Sequence, residues 1–464
     1  MLQKAYVNLM MSKGRLYYMD SFKTRTDAKG VQVSHAPNVS EADSSAHRSL
    51  CIFLVLFPCL PYISIHTINE FSFPFFSFNG DAGILLIELI IIALFFANLT
   101  RHGFQSLKLS PALLWFILFI CLAVLSVFMA GAKNYGNILV PLLKVLRMLV
   151  YIAVYFVFYW NYKREYSRSF ICSLFIGGCI FGAIGIAGYI LQLPGLVADQ
   201  IIWSSIPGLS GHFRAGGFIG DASAFGALAS LYIIFSMLIA FRKDSDSTLI
   251  KLALLCLLTN TVALCCSWTR AGFVALFVAF LVIALTHFDK EVDKGRMAIV
   301  AAAVLLLAAF LYFTTDIVAS TIHDRILPLL GVFGGDIQNV SSGRTLIWNQ
   351  GLDAFRSGTI LQQVFGHGYK IDTEISLVDN NYLYVLISTG TLGFVAFLGF
   401  WISMAKSLWA KKNQRGKAYP IVSIARICFI SFLVLMIFAD QMTMPLNMCL
   451  MFILLGCVEK ILSL

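Results

Sequence analysis

Twelve apolar runs, at about 50–67, 82–99, 111–131, 138–160, 169–191, 218–241, 250–267, 271–287, 298–315, 381–405, 421–440 and 446–463, dominate the chain. About 20 mostly apolar residues are enough for a helix to cross the hydrocarbon core of a bilayer. No single water-soluble core can hide so many such runs. The composition agrees: 59% of the 464 residues are hydrophobic and 12% are charged, against about 45–50% and about 25% in a soluble domain. A soluble globule and a disordered chain are both excluded. The expected fold is an all-α polytopic membrane protein of about twelve transmembrane helices. It has one large extracytoplasmic loop, 316–380, between spans 9 and 10. Residues 1–49 form a polar cytoplasmic tail without signal-peptide layout. That tail is a disordered arm or an over-extended start, since Met10, Met11 and Met19 are each possible initiators. Residues 50–464 form a single transmembrane domain, with 316–380 as its periplasmic cap loop.

The net charge of +10 would suggest nucleic acid in a soluble protein. Here it sorts by side of the membrane. With the N-terminus inside, 25 of the 34 Lys and Arg fall in inner segments and 7 in outer ones, and Lys144 and Arg147 lie within the fourth span. This is the positive-inside bias, and it places both termini in the cytoplasm. The outer face holds 12 acids and is net −5. All eleven Cys fall inside predicted spans, so no disulfide framework is implied. The eight His show no paired-ligand spacing and no Walker-type loop is present, so no metal site and no ATP-driven pump is expected.

Against this background the unusual residues are polar groups at membrane depth and arginines on the acidic outer face. Lys144 and Arg147 are three apart and share a helix face. A central cation costs about 2.5–3.5 kcal/mol on insertion scales. Glu88 lies at similar depth. Either Glu88 pairs with one cation and leaves the other for an anionic ligand, or the set is a structural ion pair. Arg214 lies in a Gly-rich outer loop, Phe213-Arg-Ala-Gly-Gly-Phe-Ile-Gly-Asp221, where glycines allow close backbone approach to a ligand. An Arg214–Asp221 pair fixing the loop is the alternative. Arg270 lies at the turn Cys266-Ser-Trp-Thr-Arg-Ala-Gly-Phe273 and is the only charge between Lys251 and Asp289. Residues 344–356 have amphipathic helical spacing, with Ser342 as an N-cap, Gly358 as a stop, and Trp348, Leu352 and Phe355 on the apolar face. Arg344 opens that helix, where the dipole does not favour a cation. Phe365-Gly-His-Gly368 makes a tight turn. Asp379-Asn-Asn-Tyr382 opens the tenth span, either as hydrogen-bonding groups for hydroxyls or as a helix cap.

Arginine is suited to bidentate phosphate binding. Outside the cytoplasm the natural phosphate is a lipid-linked pyrophosphate, with its tail in the bilayer and its head at the interface. The ordered set of residues resembles the O-antigen ligase/polymerase superfamily of bacterial inner-membrane proteins. It consists of Arg214 with Gly-Asp221, then Ser267-Trp-Thr-Arg270-Ala-Gly, then Arg344 with Trp348. Phe365-Gly-His-Gly368, Asn380-Asn381-Tyr382 and Gly390-Thr-Leu-Gly393 complete it. The resemblance covers about 210–400 by motif and the whole chain by span layout.

The resemblance implies a metal-independent, nucleotide-free glycosyltransferase of the bacterial inner membrane. Its donor is an undecaprenyl-pyrophosphate-linked oligosaccharide at the periplasmic face, and it has no cofactor. Arg214, Arg270 and Arg344 match the family's arginines, whose implied role is to hold the pyrophosphate. Ligases of the superfamily typically show His-Asn where this chain has Asn380-Asn381. The departure points to the polymerase branch, which joins repeat units of O-antigen, capsule or exopolysaccharide, with a chain-length regulator as a possible partner. Substrate-binding candidates are Arg214, Arg270, Arg344, Lys144, Arg147, Asn380, Asn381 and Tyr382. For a general base, Asp379 comes first and Asp221 second, with Asp372 and Glu374 weaker. The competing functions are an O-antigen ligase, and a transporter or flippase of lipid-linked oligosaccharide.

Overall fold

A computed structural model describes residues 41–59, 86–134, 139–193, 196–200, 213–219, 221–243, 245–285, 293, 295, 344–368, 380–410, 420–438 and 444–463. The chain divides into two compact units, Met1–Ser45 and Ala46–Leu464, and the contacts below lie within the second.

Among the described residues, eight helices are long and apolar enough to cross a membrane. They are Pro111–Ala130 within α3 (Pro111–Asn134), Pro141–Asn161 across α4 (Leu139–Leu146) and α5 (Leu149–Asn161), and Arg164–Leu191, most of it α6 (Ser167–Leu191). The others are α7 (Ala222–Ala240), α8 (Ser247–Ser267), α12 (Asn381–Leu408), α13 (Pro420–Phe438) and α14 (Pro445–Ser463). Each coincides with an apolar run of the sequence. Two further runs form shorter apolar helices: Ser45–Leu56, in α1 (Glu41–Leu56), and Arg270–Ile283, in α9 (Arg270–Leu285). The run at 82–99 becomes α2 (Leu86–His102), of 17 residues. The run at 298–315 lies outside the described residues. The architecture is that of an all-α polytopic membrane protein; among the described residues the one strand pair is β1 (Val197–Gln200), antiparallel to β2 (Phe213–Ala215).

α7 is the central helix. It is apolar all round, as a helix without a solvent face must be, and it packs on α8, α9 and α13. Phe225, Tyr232 and Phe235 are all buried, and the ring of Phe181 of α6 lies tilted against that of Phe225, with centroids 4.5 Å apart. α6 reaches α8, α5 reaches α14, and α12 reaches α3. Aromatic rings join the last group: Phe116 lies 4.9 Å from both Phe400 and Phe452.

Among the described residues of the segment 316–380 are two helices, α10 (Arg344–Ser357) and α11 (Ile360–Phe365). α10 stops one residue before Gly358, and Ile347, Trp348 and Phe355 pack against the bundle. Leu352 is half-buried. α11 starts in a capping box in which the Thr359 hydroxyl accepts from Gln362 N–H and the Gln362 side chain accepts from Thr359 N–H. Such reciprocal caps stabilise the first turn of a short helix.

α12 is not one rod. Gly390 breaks it at φ 71°, ψ −174°. In a continuous helix Tyr382 and Phe397 would sit about 22 Å apart along the axis, yet their ring centroids are 6.0 Å apart. The arm 381–389 therefore folds back against the arm 391–408. The Tyr382 hydroxyl also donates to the Leu433 carbonyl of α13 (3.1 Å).

Candidate functional site

The first corner is built around Arg214. Gln192, at the left-handed end of α6 (φ 48°), uses both ends of its amide: its Oε1 accepts from Phe213 N–H (2.9 Å) and its Nε2 donates to the Tyr189 carbonyl (2.7 Å). This fixes the start of β2. Arg214 follows, and its Nε donates to the Ser267 carbonyl at the end of α8 (2.9 Å), while Nη2 lies 3.4 Å from Thr269 Oγ1. The Thr269 hydroxyl donates to the Ala222 carbonyl at the start of α7 (2.8 Å). Trp268, buried, holds the turn in the left-handed region (φ 56°), at a cost of order 1–3 kcal/mol for a residue with a side chain. The turn presses so closely on α7 that a Cβ on Gly226 would lie 2.6 Å from Ser267 Oγ and 2.7 Å from Thr269 Oγ1. Arg270 opens α9 directly after it, half-buried.

Arg214 and Arg270, about fifty residues apart in sequence, thus share one turn. An Arg214–Asp221 pair was the alternative to a ligand role for Arg214. Arg214 reaches the turn at 267–269, and Asp221 Oδ1 caps α7 by accepting from Ala224 N–H (2.6 Å). Gln192 and Thr269 were missed. Only the Gly-rich context of 213–221 hinted that this segment docks on something.

The second corner is the folded α12. Asn380 is its N-cap: Oδ1 accepts from Tyr382 N–H (3.0 Å) and Leu383 N–H (3.1 Å). Asn380 and Asn381 are buried, at 7% and 0% exposure. Asn380 therefore meets the capping alternative with its oxygen, while its amide nitrogen is not engaged in that cap. Thr389, at the other end of the arm, donates to the Val385 carbonyl (2.7 Å) and lies where a Cβ on Gly393 would be, 2.1 Å from its Oγ1. That close approach accounts for the spacing Gly390-Thr-Leu-Gly393.

Glu88 and Arg147 form a two-pronged ion pair, Nε to Oε1 and Nη2 to Oε2 (3.2 Å for the latter). Glu88 is buried at 4%. Arg147 lies at the interruption between α4 and α5, so the two cations do not share one unbroken helix as their spacing suggested. Breaking such a buried pair typically costs about 3–5 kcal/mol. Lys144 is half-buried at the end of α4. Arg344 opens α10, as the spacing predicted. Asp379, Asp372 and Glu374 lie outside the described residues, as does Ser342.

Among the described residues no cluster of three or more His, Cys, Asp or Glu side chains is arranged to hold a metal ion. The arrangement instead offers guanidinium and amide donors at helix ends, groups suited to binding an anion and sugar hydroxyls. No curated protein matches the chain. Residues 252–398 match the family model described as O-antigen ligase, a segment that runs from α8 through Arg270, Arg344, Asn380, Asn381 and both glycines of the α12 break. Over that segment, about a third of its length, the chain is similar to the O-antigen ligase family.

Proposed function

We propose that the protein is a polysaccharide polymerase of the bacterial inner membrane, with both termini in the cytoplasm. It joins undecaprenyl-pyrophosphate-linked oligosaccharide repeat units at the periplasmic face during O-antigen, capsule or exopolysaccharide biosynthesis. The observation that carries this reading is the convergence of Arg214 on the turn that presents Arg270, inside a chain whose segment 252–398 matches the O-antigen ligase family.

The acceptor hydroxyl of one lipid-linked oligosaccharide attacks the anomeric carbon of the chain carried by another. The bond from that carbon to the pyrophosphate breaks, and the pyrophosphate leaves on its lipid. Negative charge grows on the leaving group, and preorganised cations lower the barrier, each contact typically by about 3–4 kcal/mol. Arg214, Arg270 and Arg344 take this role. Asn380, Asn381 and Tyr382 hold sugar hydroxyls. A general base takes the acceptor proton, with Asp379 placed before Asp221, because Asp221 already caps α7. One-step displacement inverts the anomeric configuration. Asn380, in place of the ligase histidine, favours polymerase over ligase. Neither role needs a metal or nucleotide.

The test is the glycan profile of a deletion strain complemented with variants. Loss of a polymerase leaves single repeat units on their carrier or core. Loss of a ligase leaves bare core while lipid-linked polymer accumulates, and loss of a flippase traps single units at the cytoplasmic leaflet. Complementation with Arg270→Ala or Arg344→Ala should leave single units while the protein still inserts. Arg270→Lys keeps the charge and loses the fork, and should restore at most a tenth of chain growth. Full growth with both alanine variants overturns the pyrophosphate role.

A further inference from the structure

Two glycines from distant parts of the chain meet at the break in α12. Gly366 sits at φ 89° and Gly390 at φ 71°, a region that L residues with side chains rarely enter. A Cβ on Gly366 would lie 2.1 Å from the Ser388 carbonyl oxygen, and a Cβ on Gly390 would lie 2.3 Å from the Val364 carbonyl oxygen and 2.6 Å from the Gly366 nitrogen. Around this contact His367 N–H donates to the Ile387 carbonyl (2.9 Å) and Gly368 N–H to the Ser388 carbonyl (3.0 Å). A helix that ends leaves such carbonyls open. In a membrane protein a broken helix survives where neighbouring protein satisfies them. The loop 366–368 does this for the arm 381–389, backbone to backbone.

The arm is thus held at both ends. The loop grips it at Ile387 and Ser388, and the Tyr382 hydroxyl pins it to the Leu433 carbonyl. Asn380 and Asn381 lie at the Tyr382 end, about eight residues or about 12 Å from the grip. A tilt of roughly ten degrees at the grip would move them by about 2 Å, and about 1 Å of misplacement can cost about 10²-fold in rate. Resting on the glycosyl-transfer reading above, we propose that the loop 365–368 is a clamp that positions Asn380 and Asn381 for the sugar. Gly366 and Gly390 are positioning residues that never touch substrate.

The test has a geometric and a kinetic arm, both on the full chain in lipid nanodiscs. In the first, Tyr382→Cys with Leu433→Cys is treated with a short bifunctional thiol reagent, and the linked peptides are identified by mass spectrometry. Adding Gly366→Ala should lower the yield of that link at least tenfold, and an unchanged yield overturns the clamp. In the second, Gly366→Ala alone should cut the kcat of chain elongation at least thirtyfold. Affinity for undecaprenyl pyrophosphate, which belongs to the arginine corner, should stay within threefold. A parallel loss of that affinity overturns the proposal in favour of general misfolding.

If Gly366→Ala does not accumulate, Gly358→Ala takes its place. Its added Cβ lies 3.0 Å from His367 Nε2 and pushes the same loop more gently. It should give the same split at three- to tenfold, and equal falls in kcat and affinity overturn the clamp. A wild-type chain that elongates no lipid-linked glycan overturns the polymerase reading, while the cross-link still decides the clamp.

Discussion

The two corners of the candidate site are held by different means. At the first, side chains do the holding: Gln192 ties β2 to α6, Arg214 ties β2 to α8, and Thr269 ties the turn to α7. At the second, the grip on α12 is backbone on backbone, and it depends on two Cβ atoms being absent. A network of side-chain hydrogen bonds loses one member at a time, each worth about 0.5–1.5 kcal/mol net. A backbone contact at 2.1–2.6 Å from an added Cβ leaves no room for partial loss. The first corner should therefore respond in steps and the second all at once.

The sharpest way to break this comparison is Gly390→Ala. Its Cβ meets three backbone atoms at once, the carbonyl carbon and oxygen of Val364 and the nitrogen of Gly366, and Gly390 occupies a left-handed φ. We expect chain growth to fall at least a hundredfold with insertion retained, read as the length distribution of polymer from complemented cells. A fall of less than threefold would show that the break tolerates a side chain.

The first corner is tested by Asp221. As the N-cap of α7 it should behave as caps do: Asp221→Ala costs about 0.5–2 kcal/mol and Asp221→Asn much less, since Asn caps as well as Asp. Activity should follow the same order, with Asn near wild type and Ala reduced about three- to tenfold, measured as elongation rate in nanodiscs. If Asn abolishes activity while the protein stays folded, Asp221 is the base and its capping bond is incidental.

The smallest effect lies far from both corners and marks the baseline. His47 Nε2 lies 2.7 Å from Ser169 Oγ, its ring stacks on Tyr166 at 4.0 Å, and burial lowers its imidazole to about 4. An unfolded His titrates near 6.5. Between the two values the unfolded segment binds a proton that the folded one refuses, so stability rises with pH. The contribution is complete above about pH 6.5 and is lost as pH falls toward 4. Hydrogen exchange at the α1 amides, corrected for intrinsic rate, should quicken about three- to tenfold from pH 7 to 5. His47→Gln should flatten that dependence, and neither corner should respond.

The spans were legible because an apolar run reports its own surroundings: eight of the twelve reappear as helices of spanning length at nearly the expected bounds. Gly390 stood out in the sequence as part of Gly390-Thr-Leu-Gly393, but its structural meaning did not. The atom that a Cβ there would strike belongs to Val364, and nothing local to either residue announces the other. The same holds for Arg214, whose partner is a carbonyl, a group every residue carries. Glu88 and Arg147 were easier, because two opposite charges at similar depth in an apolar medium have few alternatives to each other. For Asn380 the local cap and the functional role use different atoms of one amide, so both expectations can hold together.

The fold-back of α12 also bears on the lipid around it. A straight helix of 28 residues would be about 42 Å long, well beyond a hydrocarbon core of about 30 Å, and would have to tilt or thicken the bilayer. Folded, it presents an arm of about 18 residues, or about 27 Å. That length suits a membrane of ordinary or slightly reduced thickness. Hydrophobic mismatch then falls on the longer arm, 391–408, rather than on the short arm that carries Asn381.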